Sequence, residues 1–184
     1  MESLANNTEN LISVAVADPS DAEAINRVAY EAWLVTYPNE EVGITKEDIE
    51  DKVKDRLSLE EIEKKRLKLA ENNPNIKTFV AKELDQVVGF CTLLKEPEYN
   101  QLKTIYILPS FQGKGIGQKL WGRVLSEVGD NKNKIIVHVA SYNQQAIRFY
   151  KKLGFEETGK KFSDERFRMK SGSIIPETEL VIER

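Results

Sequence analysis

The sequence predicts a single α/β domain in which strands and helices are interleaved along the chain. Three observations support this. Short β-branched runs are bounded by turn residues. Helical stretches open on Ser or Thr with an acidic or amide residue three positions on. No Pro-rich or Gly-Ser-rich segment separates one part of the chain from another. With 184 residues, 40% of them hydrophobic and 31% charged, the chain can build one substantial core and is too apolar to stay disordered.

In order, "LISVAVA" (11–17) reads as a first strand. Ser20 with Glu23 has capping-box spacing and opens a helix to about Val35, which ends before the loop marked by Pro38, Asn39 and Gly43. Thr45 with Asp48 and Ser58 with Glu61 start two further helices with a corner near Ser58. "IKTFVAKE" and "QVVGFCTLL", joined through Leu84-Asp85, form a β-hairpin. "QLKTIYIL" is a fourth strand, "KGIGQKLWGRVLSEVG" a helix and "KIIVHVA" a fifth strand. Ser141 with Gln144 caps "YNQQAIRFYKKLG", which Gly154 ends at the C′ position. "FEETGKKF" and "TELVIER" close the chain as strands.

Composition narrows the function classes. A net charge of -3 supplies no basic field for nucleic acid. Cys91 is the only cysteine, which excludes an internal disulfide or a cysteine-based metal cluster, and in "VVGFCTLL" it reads as a small buried hydrophobe. The opening "MESLANNTEN" is polar and lacks a signal peptide's apolar core, and no later run has the length of a membrane span, so a cytoplasmic location is expected.

The densest chemical signal is "QGKGIG" (112–117), between a strand and a helix. It is not a P-loop, since no glycine pair precedes Lys-Ser or Lys-Thr at the required spacing. Nor is it a dinucleotide fingerprint, because Leu120 stands where the third glycine belongs. What remains is Gln112-x-x-Gly115-x-Gly117, whose free amides and helix dipole can hold a diphosphate, with Lys114 or Lys119 adding charge. An ordinary glycine-rich turn would have the same six residues.

The flanks distinguish the two. The stretch Tyr106-Ile107-Leu108-Pro109 followed by Gln112-Gly113-Lys114-Gly115-Ile116-Gly117, with Asn143-x-x-Ala146-x-x-Phe149-Tyr150-x-x-Leu153-Gly154-Phe155 downstream, resembles the two ordered motifs of the GCN5-related N-acetyltransferase (GNAT) superfamily. The resemblance covers roughly residues 78–156. It implies that superfamily's fold, a central mixed, mostly antiparallel sheet flanked by helices, with strands four and five splayed apart. It also implies acetyl-CoA as cosubstrate and no metal. Ile105, Tyr106 and Ile107 would lie beside the pantetheine arm, residues Gln112, Gly113, Lys114, Gly115, Ile116 and Gly117 around the diphosphate, and Asn143 near the pantetheine. Tyr150 is implied as general acid to the departing thiolate, and a main-chain amide at or next to Ile107 as oxyanion donor.

His138 stands on the fifth strand where relatives that acetylate protein N-termini carry a glutamate base, so it is a candidate base, with a hydrogen-bonded strand histidine as the other reading. Glu40, Glu41 and Glu156 are further acidic candidates. The family's acceptor pocket maps onto Trp33, Tyr37 and Glu40, where aromatics among acids would suit a cationic amine such as a polyamine, although helical spacing also makes Trp33 and Trp121 core anchors. The expectation is therefore an N-acetyltransferase of a primary amine, small-molecule polyamines favoured, acting by direct attack. A peptide N-terminal or lysine acceptor, a non-catalytic acetyl-CoA sensor and an interaction protein using residues 45–73 are the alternatives. A homodimer through the C-terminal strands is compatible with such a fold.

Overall fold

The computed structural model describes residues 12–184; the polar opening segment and Leu11, the first residue of the expected first strand, lie outside them. The chain runs β1 (Ile12–Val16), α1 (Ala22–Thr36), α2 (Lys46–Val53), α3 (Leu59–Ala70), β2 (Ile76–Glu83), β3 (Gln86–Lys95), β4 (Tyr99–Ile107), α4 (Ile116–Val128), β5 (Lys134–Ala140), α5 (Gln144–Lys152), β6 (Glu156–Arg168) and β7 (Ile174–Ile182). Among the described residues no helix is long and apolar enough to cross a membrane.

One seven-stranded sheet has the order β1-β2-β3-β4-β5-β7-β6. Every neighbouring pair is antiparallel except β4 and β5. That parallel pairing is brief: Tyr99, Asn100 and Gln101 face Lys134, Ile135 and Ile136, and from Leu102 onward β4 has no β5 partner. The two strands part as expected. Phe79, Val80 and Ala81 are consecutive and fully buried, so both faces of the sheet are covered there, because neighbouring strand residues point to opposite faces. A second apolar cluster, including Trp33, Ile44, Ile49, Met169 and Ile175, ties the α1–α2 region to β7.

Local signals set most boundaries. Thr45 and Asp48 form the reciprocal capping box of α2, and Ser58 accepts from Glu61 N to open α3. Two expected caps shift. Asp18, not Ser20, opens the 3-10 turn that leads into α1, accepting from Ser20 N in a box with Asp21. Asn143, not Ser141, caps α5 by accepting from Ala146 N at 3.0 Å. In both cases a carboxylate or carboxamide nearby supplies the side-chain oxygen better placed to reach the first-turn amides. The closing strands are also longer than their apolar runs suggest, because β6 and β7 form a hairpin whose exposed outer strand gains no hydrophobic alternation.

Candidate active site

The site is built where β4 leaves β5. β4 carries a bulge: Thr92 pairs with Thr104 but Leu93 with Leu102, which leaves Lys103 as the extra residue. Leu108 N–H donates to Val88 O, so by strand alternation the neighbouring Ile107 N–H points the other way, toward the open side where β5 has departed. A cleft of about 950 Å³ occupies this opening. Its walls include Ile105, Tyr106, Ile107, Gln112, Gly113, Gly115, Ile116, Gly117, Asn143 and Tyr150. The two ordered motifs therefore meet in one cavity.

The glycines have separate reasons to be there. Gly113 and Gly115 adopt φ of 78° and 77°, and Gly115 is the N-cap of α4, so the chain turns sharply into the helix with its first amides unobstructed. Gly117 is a contact glycine: a Cβ there would lie 2.9 Å from Phe149 Cζ. Lys114 sits over the Phe111 ring at 4.4 Å, whereas Lys119 is turned to the Ile12 carbonyl at 3.2 Å. Two cations that motif reading overlooked, Arg148 and Lys152, line the cleft from α5. Gln112 reaches the Ile107 carbonyl, and Gln145 reaches Gln112, each at 3.4 Å. Capping occupies the Asn143 carboxamide oxygen and leaves its NH₂ as the remaining donor.

Tyr150 is 5% exposed and borders the cleft. Burial, with Tyr106 and Cys91 nearby, raises its phenol well above the ordinary tyrosine range. It stays protonated at any physiological pH. Cys91 is itself buried and its thiol is pushed up to about 12, so it is inert packing.

A second cavity, about 540 Å³, adjoins the first; Tyr37, Lys103, Thr104, Tyr106 and His138 line both. Trp33 Nε1 donates to Tyr106 Oη at 3.1 Å, and the Tyr106 and Tyr37 hydroxyls meet at 2.8 Å. Trp33 is thus buried in the core and also part of the cavity wall. Glu40 does not join it: it is exposed on a 3-10 turn and lines neither cavity, and Glu41 and Glu156 are likewise exposed. Asp48 is buried but spent on its own cap and on Ser171 N. Glu40, Glu41, Glu47 and Asp48 stand in first helical turns, Glu50 and Asp51 pair with Lys46 and Lys54, and none of the six lines either cavity.

His138 does face the junction of the cavities, edge-on to Phe162. Both ring nitrogens are engaged, Nδ1 with Gln101 Nε2 and Nε2 with Glu179 Oε2, each at 3.2 Å. Burial outweighs the Glu179 partner and lowers its pKa, so it is neutral, with Nε2–H donating to the carboxylate and Nδ1 accepting from the amide. No ring lone pair is left for a reacting amine. The carboxyl that sequence reading missed is Glu177, 8% exposed and in the wall of the second cavity. It lies opposite Ala140 on β5, two residues from the His138–Glu179 pair, so all three side chains share one face of the sheet. Burial, and then the charge of Asp164, push it up to about 7. Its signal was period two: Ile175 is buried, and Glu177 falls on the same strand face. Thr104 was also missed; its hydroxyl is buried in the wall of both cavities without a hydrogen-bond partner among the described residues.

Comparison with known proteins agrees with this geometry. The model of the acetyltransferase (GNAT) family matches residues 27–155, well over half of the chain. Peptidyl-lysine N-acetyltransferase YjaB of Escherichia coli is 34% identical over 83 residues, 45% of this chain and 51% of that protein. L-amino acid N-acyltransferase MnaT of the same organism is 36% identical over 56 residues, 30% of this chain and 33% of that protein. The chain thus spans about half or less of the length of these two relatives. Among solved structures, PaiA N-acetyltransferase from Thermoplasma acidophilum in complex with coenzyme A superposes with a TM-score of 0.73 at 20% identity, covering 94% of this chain and 99% of that one. YncA of Salmonella typhimurium with acetyl-CoA gives 0.64 at 20% identity, covering 95% and 94%. These superpositions establish the shared fold. Among the described residues there is no group of three or more His, Cys, Asp or Glu side chains that could hold a metal ion.

Proposed function

The chain belongs to the acetyltransferase (GNAT) family, and on that premise we propose that it transfers an acetyl group from acetyl-CoA to a primary amine by direct attack within a ternary complex. One observation carries the reading: the cleft between the parted β4 and β5, with the glycine turn at one end, meets a second cavity at Tyr106, Thr104 and His138. A long cofactor and a separate acceptor would thereby meet at one point. The activities named for YjaB and MnaT, on lysine and on amino acids, are both acyl transfers to nitrogen.

In this mechanism residues 113–117 bind the diphosphate with main-chain amides, supplemented by Arg148 and Lys152, and the open edge of β4 pairs with the pantetheine arm. The neutral amine attacks the thioester carbon and forms a C–N bond. The negative charge passes to the carbonyl oxygen, which the Ile107 N–H stabilises. Glu177 takes the proton lost by the nitrogen, directly or through one water; a carboxyl poised near 7 is half ionised at neutral pH. His138 positions rather than abstracts, since both nitrogens are already used. Collapse of the intermediate breaks the C–S bond, and the Tyr150 hydroxyl donates a hydrogen bond to the departing thiolate sulfur. Its raised pKa opposes complete proton transfer but keeps that donor present.

The test is release of free thiol from acetyl-CoA by the purified protein across polyamines, amino acids and peptides with free N-termini. Release with one amine class supports the reading. Silence across the panel with acetyl-CoA still bound removes it.

A further inference from the structure

The second cavity is basic where the sequence suggested an acidic acceptor site. Five cations line it, Arg56, Lys65, Lys68, Lys77 and Lys103, against Glu71 and Glu177. The contrast is clearest on α3. Its outward cations are matched, Lys64 to Glu60 and Glu61, and Arg66 to Glu63. Lys65 and Lys68, which line the cavity, form no ion pair among the described residues, nor do Arg56 and Lys103.

Arg56 is the best-built of these. It follows α2 in a 3-10 turn that Asn26 fixes by donating to the Arg56 carbonyl at 3.0 Å. Its guanidinium carbon lies over the Trp33 ring, 5.4 Å from the ring centre, a cation–π contact. Its Nε is buried with no hydrogen-bond acceptor. Burial lowers the Arg56 pKa against the opposing charge of Glu61, and burial with the neighbouring Arg56 and Lys68 charges lowers that of Lys65. The remaining walls combine apolar and aromatic side chains, including Phe90, Phe167 and Ile175, with polar ones such as Asn72, Asn73, Thr78 and Thr92.

Resting on the acetyltransferase reading above, we propose that the acceptor is an amino carboxylate: a molecule whose amine lies at the Tyr106–Glu177 end and whose carboxylate is bound by Arg56, with Lys65 and Lys68 beside it. A carboxylate supplies the acceptor that the Arg56 Nε lacks and matches the planar fork, whereas a polyamine would bring more positive charge into a cavity already rich in it. The aromatic walls suit an apolar body between the two ends.

Paired acceptors test this. Thiol release is measured with phenylalanine, with phenylalaninamide, which keeps the amine and loses the carboxylate, with a Gly-Phe dipeptide, with phosphoethanolamine and with spermidine. The expected result is a kcat/KM for a carboxylate-bearing acceptor about 10- to 100-fold above that of its amide. Arg56→Gln should collapse that ratio toward one through KM, and Arg56→Lys should keep part of it. The free amino acid and the dipeptide separate the two sources of a carboxylate. A preference for spermidine or for the amide overturns the assignment, and a preference for phosphoethanolamine replaces carboxylate by phosphate and overturns it too. Binding is read independently, from tryptophan fluorescence of a Trp121→Phe variant, which leaves Trp33 as the emitter, during titration with phenylalanine or its amide in the presence of CoA. If no acceptor releases thiol but phenylalanine binds more tightly than its amide in that variant and not once Arg56→Gln is added, the transfer reading fails and the anion site stands. Equal binding of the two overturns the anion site itself.

Discussion

The hydroxyls of Tyr37 and Tyr106 meet at 2.8 Å, and the same Tyr106 oxygen accepts from Trp33 Nε1 at 3.1 Å. One residue from a cofactor motif is thereby joined to two from the acceptor half, at the wall the two cavities share. Tyr37→Phe removes a hydrogen bond and leaves Tyr106 with the Trp33 donor alone. It should cost about 1 kcal/mol of stability and raise the acceptor KM more than that for acetyl-CoA. Equal changes in the two KM values would count against a wall that belongs to both sites.

Tyr150→Phe keeps the ring packed against Phe149 and Phe155 and removes only the hydroxyl. Turnover should fall by about 10- to 1000-fold while the acetyl-CoA dissociation constant changes little. Unchanged turnover would take Tyr150 out of the mechanism.

Glu177 links activity and stability to pH with opposite signs. Its folded pKa is raised from the ordinary glutamate value of 4.5 to about 7, so the folded state holds a proton that the unfolded state has released in that window. Stability from this group is full below about 4.5 and is lost as pH rises toward 7. Activity should instead rise through the same limb as the carboxylate forms. Glu177→Gln should flatten both dependences and lower kcat/KM by about 100-fold or more. Thermal melts and rates measured from pH 5 to 8 check both at once, with His138→Ala as the comparison: its rising limb should persist.

Gly117 faces the edge of Phe149, and an added methyl would stand 2.9 Å from Cζ and 3.0 Å from Cε2. Gly117→Ala should therefore destabilise the protein by about 1–3 kcal/mol and weaken acetyl-CoA binding by shifting α4 against α5. Trimming the ring in a Gly117→Ala, Phe149→Leu double variant should recover much of the stability. If the single variant melts with the wild type, the contact is softer than the packing suggests.

The residues proposed here to hold the cofactor were legible along the chain because the features that single them out are local. Main-chain amides, a φ-positive turn and a helix start lie within six residues, and Asn143 and Tyr150 share one short helical segment with its cap. The acceptor half was not. The walls of the second cavity come from α1, the turn after α2, α3 and every strand of the sheet, and no local pattern says that Arg56 and Glu177 line one cavity. The acids at 40–51 line neither cavity: four of them stand at helix starts, which collect acidic residues for their own dipoles and caps, and Glu50 and Asp51 pair with neighbouring lysines.

By itself, then, the sequence determined the order of strands and helices, the position of the glycine turn and the two motifs that line one cleft, since each follows from backbone preference and short-range hydrogen bonding. Only the tertiary structure decided which charges line the second cavity, that His138 is fully engaged and that Glu177 is the carboxyl held near neutrality. Those outcomes depend on burial and on partners tens of residues away, and desolvation is a property of the packed fold rather than of any stretch of chain.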